Sequence, residues 1–289
     1  MKFTVKVNAT SANLGAGFDC MGLALNLDNV LTVSDETDFP LEIIADENVP
    51  HGEDNLIFRS MREVFSLTGK NPAHIKLVQS DSIPHASGLG SSAACIVAGV
   101  TAANAMLGFP LSEKETVNLC ARLDGHPDNV LPALLGGITA GVMCGDKVEY
   151  IRAEVGDGIF AVTLTPDFPL PTELSRKVLP AVYPRADVVF SLSRAVLTFA
   201  ALALKQTDKL HCLDDKLHQP YRKPLIKGYD EAETALHEAG ALCVFLSGAG
   251  PTVMGIFSKS ALKDSICAPE GWTVRKLNFS NKPVSVTRV

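Results

Sequence analysis

No pair of cysteines in this chain is spaced for a metal knuckle or a disulfide framework. The seven cysteines, at 20, 95, 120, 144, 212, 243 and 267, are odd in number and lie 24 or more positions apart. That excludes a CxxC motif and a fully paired secreted scaffold, and points to reduced, mostly buried thiols of a cytoplasmic protein. An excess of basic charge is also missing. With 26 Lys and Arg against 32 Asp and Glu, the net charge is −6, so no nucleic-acid partner is expected, because such a partner needs a basic stripe to displace counterions. Low-complexity disorder is excluded by 46% hydrophobic and 20% charged residues.

Long hydrophobic runs are scarce. Residues 83–112 carry no formal charge, but Pro84, His85, Ser87, Gly88, Gly90, Ser91 and Ser92 break up the first third. The smooth remainder, Ala93 to Leu107, makes a helix of roughly 22 Å, short of the ~30 Å hydrocarbon core, so a buried helix is expected and no membrane partner. The opening MKFTVKVNATS alternates Phe3, Val5 and Val7 with polar residues as a strand does and lacks the apolar run of an export signal. No GxxxxGK[ST] loop occurs, since Gly69-Lys70 is followed by Asn71, and HRD and DFG motifs are absent.

What is present reads as an α+β protein. At 289 residues the chain has room for one large or two modest domains, burying roughly three quarters of its extended surface. Strand patterns at 3–7, 23–33, 41–44 and 74–78 precede a helix-rich block from Ser91 to about Leu135. In that block Ser112-Glu113-Lys114-Glu115 is a capping box, and its helix should stop near Gly125. Strands at 138–143, 148–151 and 159–164 follow, with a linker at Val155–Gly158. The expected domains are therefore 1–155 and 156–289. The second should contain helices at 172–178, 186–204 and 229–239 and strands at 242–246, 252–257, 272–277 and 284–286, forming a sheet covered by helices on one face.

Four segments carry chemistry. In Ile83-Pro84-His85-Ala86-Ser87-Gly88-Leu89-Gly90-Ser91-Ser92-Ala93-Ala94, glycines and serines sit at the mouth of an apolar helix. Glycines let the backbone approach a ligand and the helix start aims free amides at it, which makes an anion cradle; a plain helix start is the alternative. The same segment contains Gly88-x-Gly90-x-x-Ala93, a partial dinucleotide fingerprint, but Gly88 lies ten positions and a proline beyond Val78 rather than in a turn directly after a strand. The second segment, Asp124-Gly125-His126-Pro127-Asp128-Asn129, concentrates carboxylates, an imidazole and an amide able to orient a hydroxyl and handle its proton. Its plain alternative is a polar turn, with Asp128 capping a helix that begins at Asn129. The third, Ser11 to Asp19, is a glycine-punctuated loop carrying Asn13 and Asp19. The fourth, Leu246 to Thr252, is either a further ligand loop or a hairpin connection.

Jointly these segments resemble the GHMP small-molecule kinases, over nearly the whole chain. Within that superfamily they are most similar to the homoserine kinases: ATSANLGAGFD at 9–19, IPHASGLGSSAA at 83–94, GHPDNVLPALLGG at 125–137 and His218-Gln219-Pro220-Tyr221-Arg222. The resemblance implies an N-terminal ATP-binding domain like the second domain of ribosomal protein S5 and a ferredoxin-like C-terminal domain. The implied reaction is ATP-dependent, Mg²⁺-assisted phosphorylation of L-homoserine in threonine synthesis, with association into a homodimer left open.

By the same resemblance, residues 84–93 and Asn55 fall at the nucleotide, Ser92 and Asp124 at Mg²⁺, and Asp128, Asn129 and Ser92 at the chemistry. Asn13, Asp19, His126, Asn129, Thr172, Arg176 and Arg222 fall at homoserine. The chemistry of these side chains suits an amino acid, with arginines for the carboxylate and Asp19 for the ammonium. Four positions depart from the family pattern. Asn118 stands where some members place a metal-binding glutamate, Asp124 replaces a usual glutamate, Ser87 a common loop arginine, and Ser191 a frequent asparagine. Two other readings stand beside this one: a catalytically silent relative that binds ligand and regulates, and a nicotinamide-dependent oxidoreductase. A kinase for a different small alcohol is a variant of the first.

Overall fold

The computed structural model describes residues 1–259 and 266–289. Its first sheet is built from β1 (Lys2–Ala12), β2 (Met21–Ser34), β3 (Leu41–Ile44), β4 (Ile75–Ser80), β5 (Ile138–Cys144) and β6 (Lys147–Ala153). The helices α1 (Leu56–Thr68), α2 (Ser91–Met106), α3 (Glu113–Asp124) and α4 (Pro127–Leu135) come from the same half. The second half contributes β7 (Ile159–Pro166), α5 (Thr172–Lys177), α6 (Arg185–Ala203), α7 (Gln219–Arg222), α8 (Tyr229–Glu238), β8 (Cys243–Leu246), β9 (Val253–Ser258), β10 (Trp272–Leu277) and β11 (Ser285–Arg288).

Two sheets result. The larger runs β11-β1-β2-β4-β3, with β5 joined to β2 and β6 to β5; the smaller runs β10-β7-β9-β8. The strand at 284–286, expected in the second sheet, instead pairs antiparallel with β1, Phe3 opposite Arg288 and Lys6 opposite Ser285. The chain thus leaves the first sheet after Ala153 and returns to it at Ser285.

α2 is the hub. Every residue in it but Ser92 is buried, as expected of a helix apolar all round, and it packs between α1, α3, α4 and the face of β1. Helix α1 is the one large element the sequence reading passed over. Asn55 caps it by accepting from the Ile57 and Phe58 amides, Ile57, Met61, Val64 and Phe65 form its buried stripe, and Gly69 ends it in a left-handed conformation. The Ser112–Glu115 capping box and the stop at Gly125 form as expected.

β7 is buried along its whole length because alternate side chains serve two cores. Ile159 and Ala161 join the large core shared with the first half, while Phe160, Val162 and Leu164 pack with Tyr229, Leu236 and Phe257 beneath α8. Of the cysteines, Cys95, Cys120 and Cys243 are buried, Cys20 is half-buried, and Cys144 and Cys267 are exposed; all six are free thiols. The side chain of Cys212 lies outside the described residues.

Candidate active site

Two adjoining cavities meet at the N-terminus of α2. The first, about 460 Å³, is lined by Asn13, Asp19, Ala86, Ser87, Gly88, Gly90, Ser91, Ser92 and Ala93, and by Asp124, His126, Asp128, Asn129, Thr172, Arg176 and Arg222. The second, about 350 Å³, is lined by Asn48, Val49, Pro50, Asn55 and His85, and shares Ala86, Ser91, Ser92 and Thr172 with the first. Pro84 and Leu89 line neither. Pro84 instead accepts the Ser87 hydroxyl at 2.8 Å, and Leu89 is fully buried, its carbonyl accepting from the Thr10 amide. Glu173, Gly248 and Ala249 also line the first cavity. The sequence reading had not singled them out, although the last two lie within its fourth glycine segment.

The loop before α2 is tied to the distant half of the chain. Ser247 Oγ donates to the Gly88 carbonyl at 2.7 Å and lies 2.8 Å from the Ser11 hydroxyl. The Thr252 amide donates to the Ser87 carbonyl and the Leu170 amide to the Ala86 carbonyl. The β8–β9 connection is therefore both a hairpin link and a wall of the site. At Gly90 the backbone has φ +73°, and a Cβ there would run into the Thr10 hydroxyl, so only glycine admits this helix entry. Ser91 is pinned by its Oγ to His85 Nδ1 at 3.2 Å, whereas Ser92 is exposed to both cavities.

The opposite wall is α4 with the loop before it. This helix begins at Pro127, with His126 as its N-cap residue. Asp128 thus lies inside the first turn, which corrects the reading of it as the cap of a helix starting at Asn129. Its Oδ1 accepts the Asn129 amide at 2.9 Å. Burial, reinforced by the charges of Asp19 and Asp124, pushes its carboxyl up to about 7. Asp124 is pushed up to about 6 by burial, opposed by Arg176. His126 is held below the usual imidazole range, chiefly by burial. Asn129 receives the Thr10 hydroxyl on Oδ1 at 2.7 Å, and its Nδ2 makes only a long contact, 3.5 Å, with Asp128 Oδ1. Gly22 on β2 lets α4 approach, since a Cβ there would collide with the Asp128 carbonyl.

Charged groups close the third side. Arg176 grips Asp19 with both terminal nitrogens, at 2.8 and 3.2 Å, and His126 Nε2 lies 3.9 Å from the same carboxylate. Thr172 and Arg176 sit one turn apart on α5, which sends both to the same cavity. Arg222 is almost wholly buried and is held by the Ser175 and Gly248 carbonyls and by His218 Nδ1. Burial lowers its guanidinium to about 10, with Arg176 adding to the effect. Asn13 spends its amide on the fold, donating to the Gly248 carbonyl and accepting from the Asp19 amide. Asn13, Leu14, Asp19 and Ala86 all have positive φ, a strain of order 1–3 kcal/mol each that tends to collect at functional sites.

Models of the GHMP kinases N-terminal domain and of the GHMP kinases C-terminal region match residues 55–137 and 198–268. The chain is 47% identical to the homoserine kinase of Moorella thermoacetica over 254 residues, 86% of each protein. It belongs to the homoserine kinase family. The homoserine kinase of Caldicellulosiruptor saccharolyticus is 42% identical over 89% of this chain and 84% of its own. The crystal structure of homoserine kinase from Cytophaga hutchinsonii superposes with a TM-score of 0.87 at 27% identity, covering 99% of this chain and 97% of that one. A putative homoserine kinase from Listeria monocytogenes gives 0.80 at 31% identity, over 99% and 100%.

The chain thus has the two-domain α+β GHMP kinase fold and is an ATP-dependent kinase. Against that family background, the departures noted in the sequence acquire places. Asn118 lies away from both cavities: its Oδ1 accepts the Val148 amide at 2.9 Å and ties α3 to β6. Ser191, inside α6, donates to Asp215 Oδ1 and receives the Lys216 amide. Asp215 then gathers the Leu217, His218 and Gln219 amides, fixing the turn that leads to Arg222.

Proposed function

We propose that this chain transfers the γ-phosphoryl group of ATP to the side-chain hydroxyl of L-homoserine, giving ADP and O-phospho-L-homoserine for threonine biosynthesis in the cytoplasm. The observation that carries this reading is that Asp19, Arg176 and Arg222 share one cavity with the N-terminus of α2. A zwitterionic amino acid needs one carboxylate and a pair of cations, and a polyphosphate needs a helix start lined by glycines and serines. The second cavity, bounded by Asn55 and His85, takes the rest of the nucleotide.

In the reaction the homoserine oxygen bonds to the γ-phosphorus, the bridging P–O bond to the β-phosphate breaks, and the hydroxyl proton leaves. Asn129 Nδ2 donates to the attacking oxygen and holds it in line. Asp128, whose carboxyl ionises near neutrality, takes the proton. The amides at the start of α2 face the charge that spreads over the transferring group.

Mg²⁺ would neutralise phosphate charge, and the donors present fit it: the Ser92 hydroxyl and the Asp124 carboxylate line the same cavity. Among the described residues no cluster of three His, Cys, Asp or Glu side chains is placed to hold a metal alone. That suits an ion brought largely by the nucleotide's phosphates. We further assign residues 1–155 and 156–289 as the two domains, with β11 as a return strand. A coupled ADP-release assay over homoserine, threonine, mevalonate and galactose tests the reading; turnover confined to another of these alcohols, or none with any, overturns it.

A further inference from the structure

Phe18 stands among the charged groups of the first cavity, yet the roles proposed above leave it out. Its side chain is half-buried and stacks on His218, with ring centroids 5.1 Å apart and an angle of 20° between the planes. Both arginines of the cavity come to the same ring. The guanidinium carbon of Arg222 lies 5.2 Å from its centroid and that of Arg176 5.9 Å, each within the ~6 Å over which a ring face attracts a cation.

The local chain fixes the ring. The Gly17 amide donates to the Asn13 carbonyl at 2.8 Å, and the Gly17 carbonyl accepts from the Cys20 and Met21 amides, so residues 17–21 form a closed turn that includes Phe18. A Cβ at Gly17 would run into Met21 and the Asn13 carbonyl. Asp19, the next residue, grips Arg176, and the Gly15 carbonyl, three residues before Phe18, lies 2.6 Å from His218 Nε2. One short segment thus sets the ring, the carboxylate and the imidazole in place together.

Two guanidiniums that line one cavity repel each other. Arg176 has the Asp19 carboxylate to answer its charge. Arg222 is almost wholly buried, and its hydrogen bonds go to the Ser175 and Gly248 carbonyls and to His218, all neutral acceptors. A buried cation needs a negative partner. The electron-rich face of a ring is such a partner, and unlike a carboxylate it does not compete with a ligand for the N–H fork. We infer that Phe18 is a positioning residue for the substrate, its ring holding the charges of Arg176 and Arg222 together at one place so that both reach the carboxylate of the amino acid. The inference rests on the kinase reading, in which these arginines take that carboxylate.

Replacing Phe18 by phenylalanine carrying one, two or three ring fluorines tests it. Each fluorine drains charge from the ring face and weakens its pull on a cation, while the shape of the side chain stays nearly the same. The homoserine KM should climb with each fluorine and reach roughly 10- to 30-fold with three, while kcat holds within about threefold and the KM for ATP within about twofold. Phe18→Leu, which fills space without a ring face, should raise the homoserine KM at least as far, with circular dichroism establishing that each variant folds. A homoserine KM indifferent to fluorine, as expected of a ring that only stacks on His218, would overturn the inference and leave the kinase reading standing. An equal rise in the KM for ATP would do the same. Wild type that does not phosphorylate homoserine would overturn the kinase reading and the inference with it.

Discussion

His218 Nδ1 accepts a hydrogen bond from Arg222 Nη1 at 3.1 Å, one helical turn away, while Nε2 sits 2.6 Å from the Gly15 carbonyl. A carbonyl and a guanidinium on opposite sides of one ring permit a single arrangement: Nε2–H donates and Nδ1 accepts. Burial drives the imidazole down to about 4, so it stays neutral at working pH and leaves the Arg222 charge whole.

From that pairing, His218→Leu should raise the KM for homoserine roughly 10- to 100-fold while kcat falls less, since a mispositioned arginine costs ground-state and transition-state binding alike. His218→Gln, which keeps an acceptor, should recover part of the loss. Steady-state kinetics on both variants, with circular dichroism to establish folding, checks this.

Asp128 should show itself in pH profiles. Its carboxyl must be ionised to take a proton, so kcat should climb as pH rises through about 7, and Asp128→Asn should lose at least about tenfold in kcat together with that limb. Stability should move the other way. Between the ordinary carboxylate range and about 7 the unfolded chain binds fewer protons than the folded one, so the ligand-free protein loses stability as pH rises through that window. Asp128→Asn should therefore melt higher than wild type at pH 8 and differ little at pH 4, a result thermal scans at the two pH values would reveal.

Asp19 and Arg176 form an ion pair at 2.8 Å at the wall of the first cavity, and on the proposed reading both serve the amino acid. Arg176→Lys removes the two-pronged grip and should raise the homoserine KM about tenfold or more, despite conserved charge. The KM for ATP should stay within about twofold. An equal rise in both constants would mean that the arginine serves the nucleotide.

Asn118→Glu should leave the Mg²⁺ requirement unchanged. The side chain serves the Val148 amide on β6, and loss of such a bond costs about 1 kcal/mol, visible as a lower Tm. A magnesium titration of kcat alongside melting curves separates the two effects. Ser92→Ala, by contrast, should lower kcat and raise the Mg²⁺ concentration needed for half-maximal rate.

The strands and most helices were legible because their signals are local: alternation in Phe3–Val7, the capping box at Ser112, glycine at 125. α1 carried equally good signals, an Asn cap, a stripe at 57, 61, 64 and 65, and a terminal glycine, but its cap, Asn55, had been read only for its place near the nucleotide. That most of the motif residues line two adjoining cavities followed from the family likeness, but their bonding to one another did not. That Asn13 is consumed by Gly248, or that Asn118 faces β6, depends on contacts between segments 30 to 235 positions apart. The fate of the last strand was equally hidden, since a four-residue strand carries no mark of its neighbour. α6 misleads for a different reason: its apolar pattern reads as that of a buried helix, yet Val189, Leu192 and Val196 lie exposed.

The return of β11 to β1 bears on how the protein is born. A nascent chain emerges from the ribosome N-terminus first, so β1 is out early while the strand that completes its edge is still being made. Until residues 285–288 emerge, the backbone of residues 3–6 presents open hydrogen-bonding groups, a template to which another extended chain can pair. The loop before α2 waits as well, because Ser247 and Thr252 must arrive before Gly88 and Ser87 are clasped. The interval before the last strand docks is therefore when the edge of β1 is most open to misassembly.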